Sequence, residues 1–318
     1  MLRIPTLEDL EAAREIIGAD VAASPLLRLE GVHPGADIYL KLECLQPIGS
    51  FKLRGALNAL RQADAGLLLE GVYTASAGNM GQGVAWAAGK SGLRSAVVMP
   101  DTAPETKVRA VERLGGQVIR VSFDRWWQVM RERRYPGLFG HFIHPVADQA
   151  MIEGNGTVGL ELAEELDRLD AVFVPFGGGG LSCGISAALA SLRPQARVVG
   201  CEVETAAPLT ASLEAGEPRR IERRPSFVDG IGAAELLPEM WPLVRELVGE
   251  SQVVTLEETA AAIRLLVDRR SLVAEGAGAA ALAAALAQPD LEGVVVCVIS
   301  GGNIDAAVLG SILQGEPV

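Results

Sequence analysis

An α/β fold, with mostly parallel sheets wrapped by helices, is predicted by three features of this chain. Short apolar, β-branched runs recur along it, longer segments between them carry apolar residues at i, i+3 and i+4, and small residues gather where the two meet. In chain order the expected strands are Asp37–Glu43, Gly71–Ser76, Ser95–Pro100, Gln117–Val121, Ala171–Phe176, Arg197–Val203, Gln252–Leu256 and Gly293–Ser300. Helical spacing occupies Glu105–Leu114, Ile152–Leu169, Leu181–Leu192 and Glu257–Arg270. Strands that alternate with helices in this way pair in parallel through crossover connections.

A length of 318 residues suggests two domains. Strands and helices between about Gly66 and Pro145 form a block of their own, which ends in the irregular "RYPGLFGHFIHP". The expectation is a small mobile domain, residues 66–145, inserted in a larger discontinuous one made of residues 1–65 and 146–318. No internal repeat or low-complexity linker separates them. The other long irregular stretch, Glu214–Glu235, is a candidate functional loop.

Composition narrows the function classes. Hydrophobic residues make up 49 % of the chain, and the mean hydropathy is +0.26, enough to bury substantial cores. A formal charge of -12 and a pI near 4.9 argue against nucleic acid or an anionic membrane as partner. The most basic stretch, Arg131–Pro136, is short and reads as the solvated end of a helix. Cys44, Cys183, Cys201 and Cys297 stand singly in apolar surroundings, as buried thiols of a reducing compartment do. Charges interrupt every apolar run of the first residues, and Gly276–Ala287 is too short to cross a membrane, so the expected location is the cytoplasm.

Ligands of open α/β sheets sit at the carboxyl ends of strands, and the unusual turns lie there. Ala171–Phe176 runs into Gly177, Gly178, Gly179 and Gly180 and then into a helical pattern. Four glycines let backbone N–H groups approach an anion at a helix N-terminus, although a turn or cap would also use glycine. Neither GxGxxG with a following acid nor GxxxxGK[ST] is matched, which disfavours a dinucleotide or a P-loop nucleotide. The turn Ser76, Ala77, Gly78, Asn79 offers N–H groups and short polar side chains to a carboxylate or phenolate oxygen, or else Ser76 or Asn79 caps a helix. Ser300, at the end of an apolar strand, faces a ligand or caps.

Lysine is scarce: only four of 28 basic residues are lysines, at Lys41, Lys52, Lys90 and Lys107. Lys52 lies in "PIGSFKLRGA", a loop entering an alanine-rich helix. An amine, an anion cradle, an oxygen-binding turn and a strand-end serine together suit pyridoxal phosphate, whose aldehyde, phosphate, phenolic oxygen and ring nitrogen each need a partner.

In this order and spacing, "PIGSFKLRGA", "SAGNMGQGVA", "PFGGGGLSCG" and "SGGN" resemble the fold type II pyridoxal-phosphate enzymes, specifically the serine/threonine dehydratase group. The resemblance covers nearly the whole chain. It implies two open, mostly parallel sheets wrapped by helices, and a homodimer. It also implies that Lys52 forms a Schiff base with the cofactor and that Phe51 packs beside its ring. Gly177–Gly180 would hold the phosphate, Asn79 the ring oxygen and Ser300 the ring nitrogen, while Ser76–Asn79 would grip the substrate carboxylate. Arginine could not replace Lys52, being always protonated. The other three lysines read as structural.

The implied activity is β-elimination of water from a β-hydroxy amino acid of the L-threonine or L-serine type, giving a 2-oxo acid and ammonia. Alternatives on the same scaffold are a bulkier substrate such as threo-phenylserine or threo-3-hydroxyaspartate, serine racemisation, β-replacement, or a cofactor carrier without turnover. Leu53 and Arg54 follow Lys52 where β-replacement relatives carry aspartate first, and Ala77 stands where serine racemases carry a serine. Glu202 is retained from the racemase-like metal site, but Pro208 takes the place of its second carboxylate, so no metal is expected. Met80 replaces the usual histidine, and with Trp126 and Trp127 it either enlarges an apolar pocket or, with methionine filling the histidine's space and the tryptophans packing in a core or on the surface, leaves the pocket of ordinary size.

Overall fold

The computed structural model describes residues 2–316. Among the described residues, ten strands form two sheets: β1 (Leu26–Leu29), β2 (Ala36–Lys41), β3 (Val72–Ala75), β4 (Ser95–Pro100), β5 (Gln117–Val121), β6 (His141–Phe142), β7 (Ala171–Pro175), β8 (Arg197–Val203), β9 (Glu250–Val254) and β10 (Gly293–Val298). The larger sheet runs β1-β2-β10-β7-β8-β9 and is parallel except for the β1–β2 edge pair. The smaller sheet, β5-β4-β3-β6, is parallel throughout and is drawn wholly from residues 72–142.

Burial on both faces explains which strands are apolar from end to end. All six residues of β4 are buried, as are all five of β7, so neither alternates polar with apolar positions. Helix Gly276–Leu286 packs against β7, β8, β9 and β10, and its first ten residues are buried. Its alanine sequence follows, because a helix surrounded by protein needs apolar residues all round and small ones where neighbours come close. Among the described residues the four cysteines are buried and free, and no helix is long and apolar enough to cross a membrane.

Several boundaries differ from the sequence reading. The strand expected over Asp37–Glu43 stops at Lys41, because Leu42 turns the chain into a 3-10 turn, Glu43–Leu45, that buries the Glu43 carboxylate. The strand expected at Gln252–Leu256 ends at Val254. Thr255 and Glu258 form a reciprocal capping box there and start helix Leu256–Arg270. Edge strand β1 and two-residue β6 escape periodicity, since four residues and two residues carry too few alternations to register.

One buried ionic cluster ties three elements together behind the Lys52 helix, Lys52–Gln62. The Arg54 guanidinium, 1 % exposed, donates to both oxygens of Glu43 at 2.8 Å and to Glu161 at 2.6 and 3.1 Å. Lys41 Nζ pairs with Glu161 at 2.8 Å and with Glu165 at 2.6 Å. Burial pushes the Glu43 carboxyl up, and the charge and hydrogen bonds of Arg54 more than reverse this, so it stays below the usual carboxylate range.

Candidate active site

Lys52 opens helix Lys52–Gln62, whose apolar face packs on helices Asn79–Lys90 and Gln149–Glu165. Its Nζ donates to the carbonyl of Pro145 at 3.0 Å and lies 5.0 Å from the centre of the Phe51 ring. Burial lowers the Lys52 pKa to about 8, a nearby carboxylate, Glu275, pulling the other way. The Pro145 carbonyl is held in place by His144, whose Nδ1 accepts from the Val146 and Ala147 amides at 3.0 and 2.8 Å. Burial, then Arg133 and then Lys52, push the His144 pKa down to about 3, so the ring is neutral and can accept both bonds.

The four-glycine turn lies against the same Pro145–Val146 segment. A methyl group on Gly178 would come 2.4 Å from Val146 Cγ1, closer than any side chain allows. Gly179, at φ +90°, caps helix Gly180–Leu192 in the left-handed region, where no other residue is comfortable. Two polar side chains behind this turn have no protein partner among the described residues: both amide atoms of Asn155 and the Ser182 hydroxyl are buried and unsatisfied. Buried polar groups are rarely left unpaired without reason, and a cluster of them at a helix N-terminus fits an anionic group such as phosphate.

On the other side of Lys52 the two sheets meet. Phe51 N donates to Ser300 O at 3.0 Å, and Ser50 bridges to Gly301. Ser300 caps no helix, since the next one, Ala306–Gln314, is capped by Asp305. Capping by Asn79 also falls away. It opens helix Asn79–Lys90, but its Nδ2 donates to Glu275 Oε1 at 2.6 Å and its Oδ1 accepts from Asn303 Nδ2 at 2.8 Å. Ser76 Oγ accepts from Gly78 N at 3.1 Å, which folds the loop Ser76–Asn79 into a tight turn, with Ala77 and Gly78 partly exposed.

The structure therefore gathers Lys52, Phe51, Asn79, Ser300 and the loop Ser76–Asn79 where the sheets meet, with Gly177–Gly180 joined to them through Pro145–Val146. It adds Glu275, Asn155, His144 and Lys107, which sequence reading does not assign to the site, and Asn303, the last residue of the "SGGN" motif, to which that reading gives no role. Glu275 left a trace, as the one charged residue ahead of an alanine-glycine run. Burial raises its pKa to about 7, against Lys107, which lowers it, while Asp229 adds to the rise. Asn155 and His144 left none, being ordinary polar residues until the fold buries them.

Four singled-out positions lie elsewhere. Met80 is buried in a cluster with Leu53, Ala56 and Ile143 behind the Lys52 helix, and Trp126 and Trp127, both partly buried and tilted 45° to each other, pack against a cluster of Ala75, Val98 and Met130. Met80 fills a core and the tryptophans cover the edge of another, so the enlarged-pocket expectation loses its support. Glu202 is taken up by helix Pro208–Ala215, accepting from the Leu209 and Thr210 amides at 2.7 and 2.9 Å and from the Thr210 hydroxyl at 2.8 Å.

An amine of lowered pKa, an anion cradle and polar partners on both flanks are the donor set that a phosphorylated pyridine aldehyde requires. Comparison with known proteins agrees. Residues 18–301 match the family described as "Pyridoxal-phosphate dependent enzyme". An L-threonine ammonia-lyase of Thermotoga maritima is 40 % identical over 97 % of this chain and 78 % of the relative. The solved structure of processed threonine deaminase isoform 2 from Solanum lycopersicum superposes with a TM-score of 0.87 at 31 % identity, covering 99 % of this chain and 95 % of that one. Maize serine racemase gives 0.86 at 29 % identity, with 98 % of each chain covered. From the site and these likenesses together, the chain belongs to the pyridoxal-phosphate-dependent enzymes of fold type II, in their serine/threonine dehydratase group.

Proposed function

We propose that this protein eliminates water from a β-hydroxy amino acid, L-threonine or L-serine, and releases an enamine whose imine tautomer takes water back up to give a 2-oxo acid and ammonia. The observation that carries the reading is the Lys52 amine, held with a lowered pKa between the four-glycine turn and the strand-end serine. Bound pyridoxal phosphate supplies an electron sink that acidifies the Cα–H of an amino acid joined to it. The chain's own residues supply the rest. The amides of Gly177–Gly180, with Asn155 and Ser182 behind them, hold the phosphate, Asn79 addresses the ring oxygen, and Ser300 offers the ring nitrogen a hydroxyl. Ser76–Asn79 bind the substrate carboxylate at the start of a helix, where the dipole favours negative charge. Lys52 Nζ then takes the Cα proton, and its lowered pKa keeps enough neutral amine to do so near pH 7.

The pKa of Lys52 makes a direct prediction for cofactor capture by apoprotein. At a pKa of about 8, about a tenth of the amine is neutral at pH 7, against about three parts in ten thousand for an ordinary lysine. The rate at which added pyridoxal phosphate develops visible absorbance should therefore rise with pH and level off above about 8. A rise that continues to pH 10 would mean an unperturbed amine.

Substrate preference follows from the packing. Because Met80 fills a core and the tryptophan pair covers the edge of another, L-threonine should exceed threo-3-phenylserine in kcat/KM by more than about tenfold, about 1.4 kcal/mol in transition-state binding. Ala77 carries no group able to exchange a proton on the opposite face, so D-serine should be absent from incubations with L-serine. A panel of L-serine, L-threonine, threo-3-hydroxyaspartate and threo-3-phenylserine, with chiral analysis of the serine, tests both.

A further inference from the structure

Three of the four lysines have an evident place: Lys41 in the buried ionic cluster, Lys52 facing Pro145, and Lys90 half-exposed beside Asp20. Lys107 is the fourth. It belongs to helix Glu105–Arg113, next to the smaller sheet, yet its side chain is only 13 % exposed, and its ammonium pairs with Asp229 on the 3-10 turn Asp229–Ile231. A methyl group on Gly78 would meet Lys107 Nζ at 3.6 Å and Cδ at 3.9 Å, with no other atom within 4 Å apart from its chain neighbours. After burial, the same ammonium is the strongest influence on Glu275, the carboxyl that holds Asn79.

The loop beside it is made of serine, alanine, glycine and asparagine, which supply dipoles and no formal charge. A carboxylate bound there has Lys107 as its adjacent cation, and Asp229 now occupies that cation. The Asp229 side chain is 43 % exposed, so its carboxylate remains solvated when released. Exchange of Asp229 for a substrate carboxylate inside the site is favourable, because a charge-assisted contact gains strength away from water. We infer that Lys107 binds the substrate carboxylate together with Ser76–Asn79, and that Asp229 is its counter-ion when no substrate is bound. This rests on the amino-acid reading above and identifies a residue for substrate binding that the sequence motifs do not mark.

Steady-state kinetics of the holoenzyme on L-threonine test it, with the visible absorption of each variant as the check on folding and cofactor content. Lys107→Met should raise KM about tenfold or more while kcat changes less than about threefold, as expected when uniform binding is removed. Lys107→Arg should restore KM to within about threefold of wild type. Asp229→Asn, which deletes the same ion pair but leaves the cation, should leave KM at or below the wild-type value. The wild-type KM should also climb with salt more steeply than that of Lys107→Met. Should Lys107→Met not fold, Lys107→Gln carries the same expectation. An unchanged KM in the neutral variants, a fall in kcat alone, or an equal rise of KM in Asp229→Asn would overturn the inference, the last by showing that Lys107 is only a strut between the sheets. If the amino-acid reading itself is wrong, wild-type protein fails to turn over threonine before any variant is made.

Discussion

Replacing Lys52 by alanine is expected to abolish the visible absorbance of the cofactor-loaded protein and to lower turnover of L-threonine by about 10³-fold or more, within the range that a positioned acid–base group supplies. The effect is large because one nitrogen has two duties, joining the cofactor and taking the Cα proton. The surroundings of Lys52 show why no other residue can substitute. Its amine faces a backbone carbonyl and an aromatic ring, and the charged group that most favours its protonated form, Glu275, is outweighed by burial. Lys52→Arg should be as inactive as Lys52→Ala, since a guanidinium stays protonated at every accessible pH. Turnover of threonine by Lys52→Ala at even a tenth of the wild-type rate would end the mechanism proposed here.

The second large effect concerns stability. Arg54→Ala leaves Glu43 and one face of Glu161 buried without their cation, and breaking a buried pair in this way typically costs about 3–5 kcal/mol. For a chain of this size that corresponds to a fall in Tm of about 6 °C. Arg54→Lys should recover little, because a single ammonium cannot donate in parallel to two carboxylates on opposite sides. The pH dependence has a definite sign. The folded-state pKa of Glu43 is lowered, so its contribution to stability is complete above the usual carboxylate range and is lost as pH falls through the folded value. Wild type should therefore lose stability on acidification by more than Arg54→Ala does, as followed by thermal unfolding between pH 7 and pH 3. A Tm within about 2 °C of wild type for Arg54→Ala would show that the cluster is dispensable.

These two positions are neighbours in one motif but were unequally legible in sequence. Lys52 stood out because lysine is rare here and because its loop precedes an alanine-rich helix. Arg54 looked like any of the many arginines until Glu43, Glu161 and Thr157 closed around it from 11, 107 and 103 residues away. The strands tell the same story. Ser95–Pro100, Gln117–Val121 and Arg197–Val203 were readable to the residue, because β-branched runs bounded by turns mark a strand wherever it is placed. The edge strand Leu26–Leu29 exists only because Ala36–Lys41 lies beside it to accept its hydrogen bonds.

Local chemistry was thus enough for the α/β class and the cofactor. Four glycines and a Ser-Ala-Gly-Asn turn have backbone properties that do not depend on distant neighbours, and a lysine side chain is an amine wherever it is placed, although its lowered pKa here comes from burial. Tertiary structure alone decided the charges. Glu275, Lys107 and Asp229 come from three separate segments, and each acquires its pKa or its partner only after burial removes water and brings the others close. The same holds for Met80 and the tryptophan pair, whose apolar side chains could equally have lined a pocket or filled a core. Which of these occurs depends on the direction in which a packed backbone points a side chain, and no short window of sequence contains that direction.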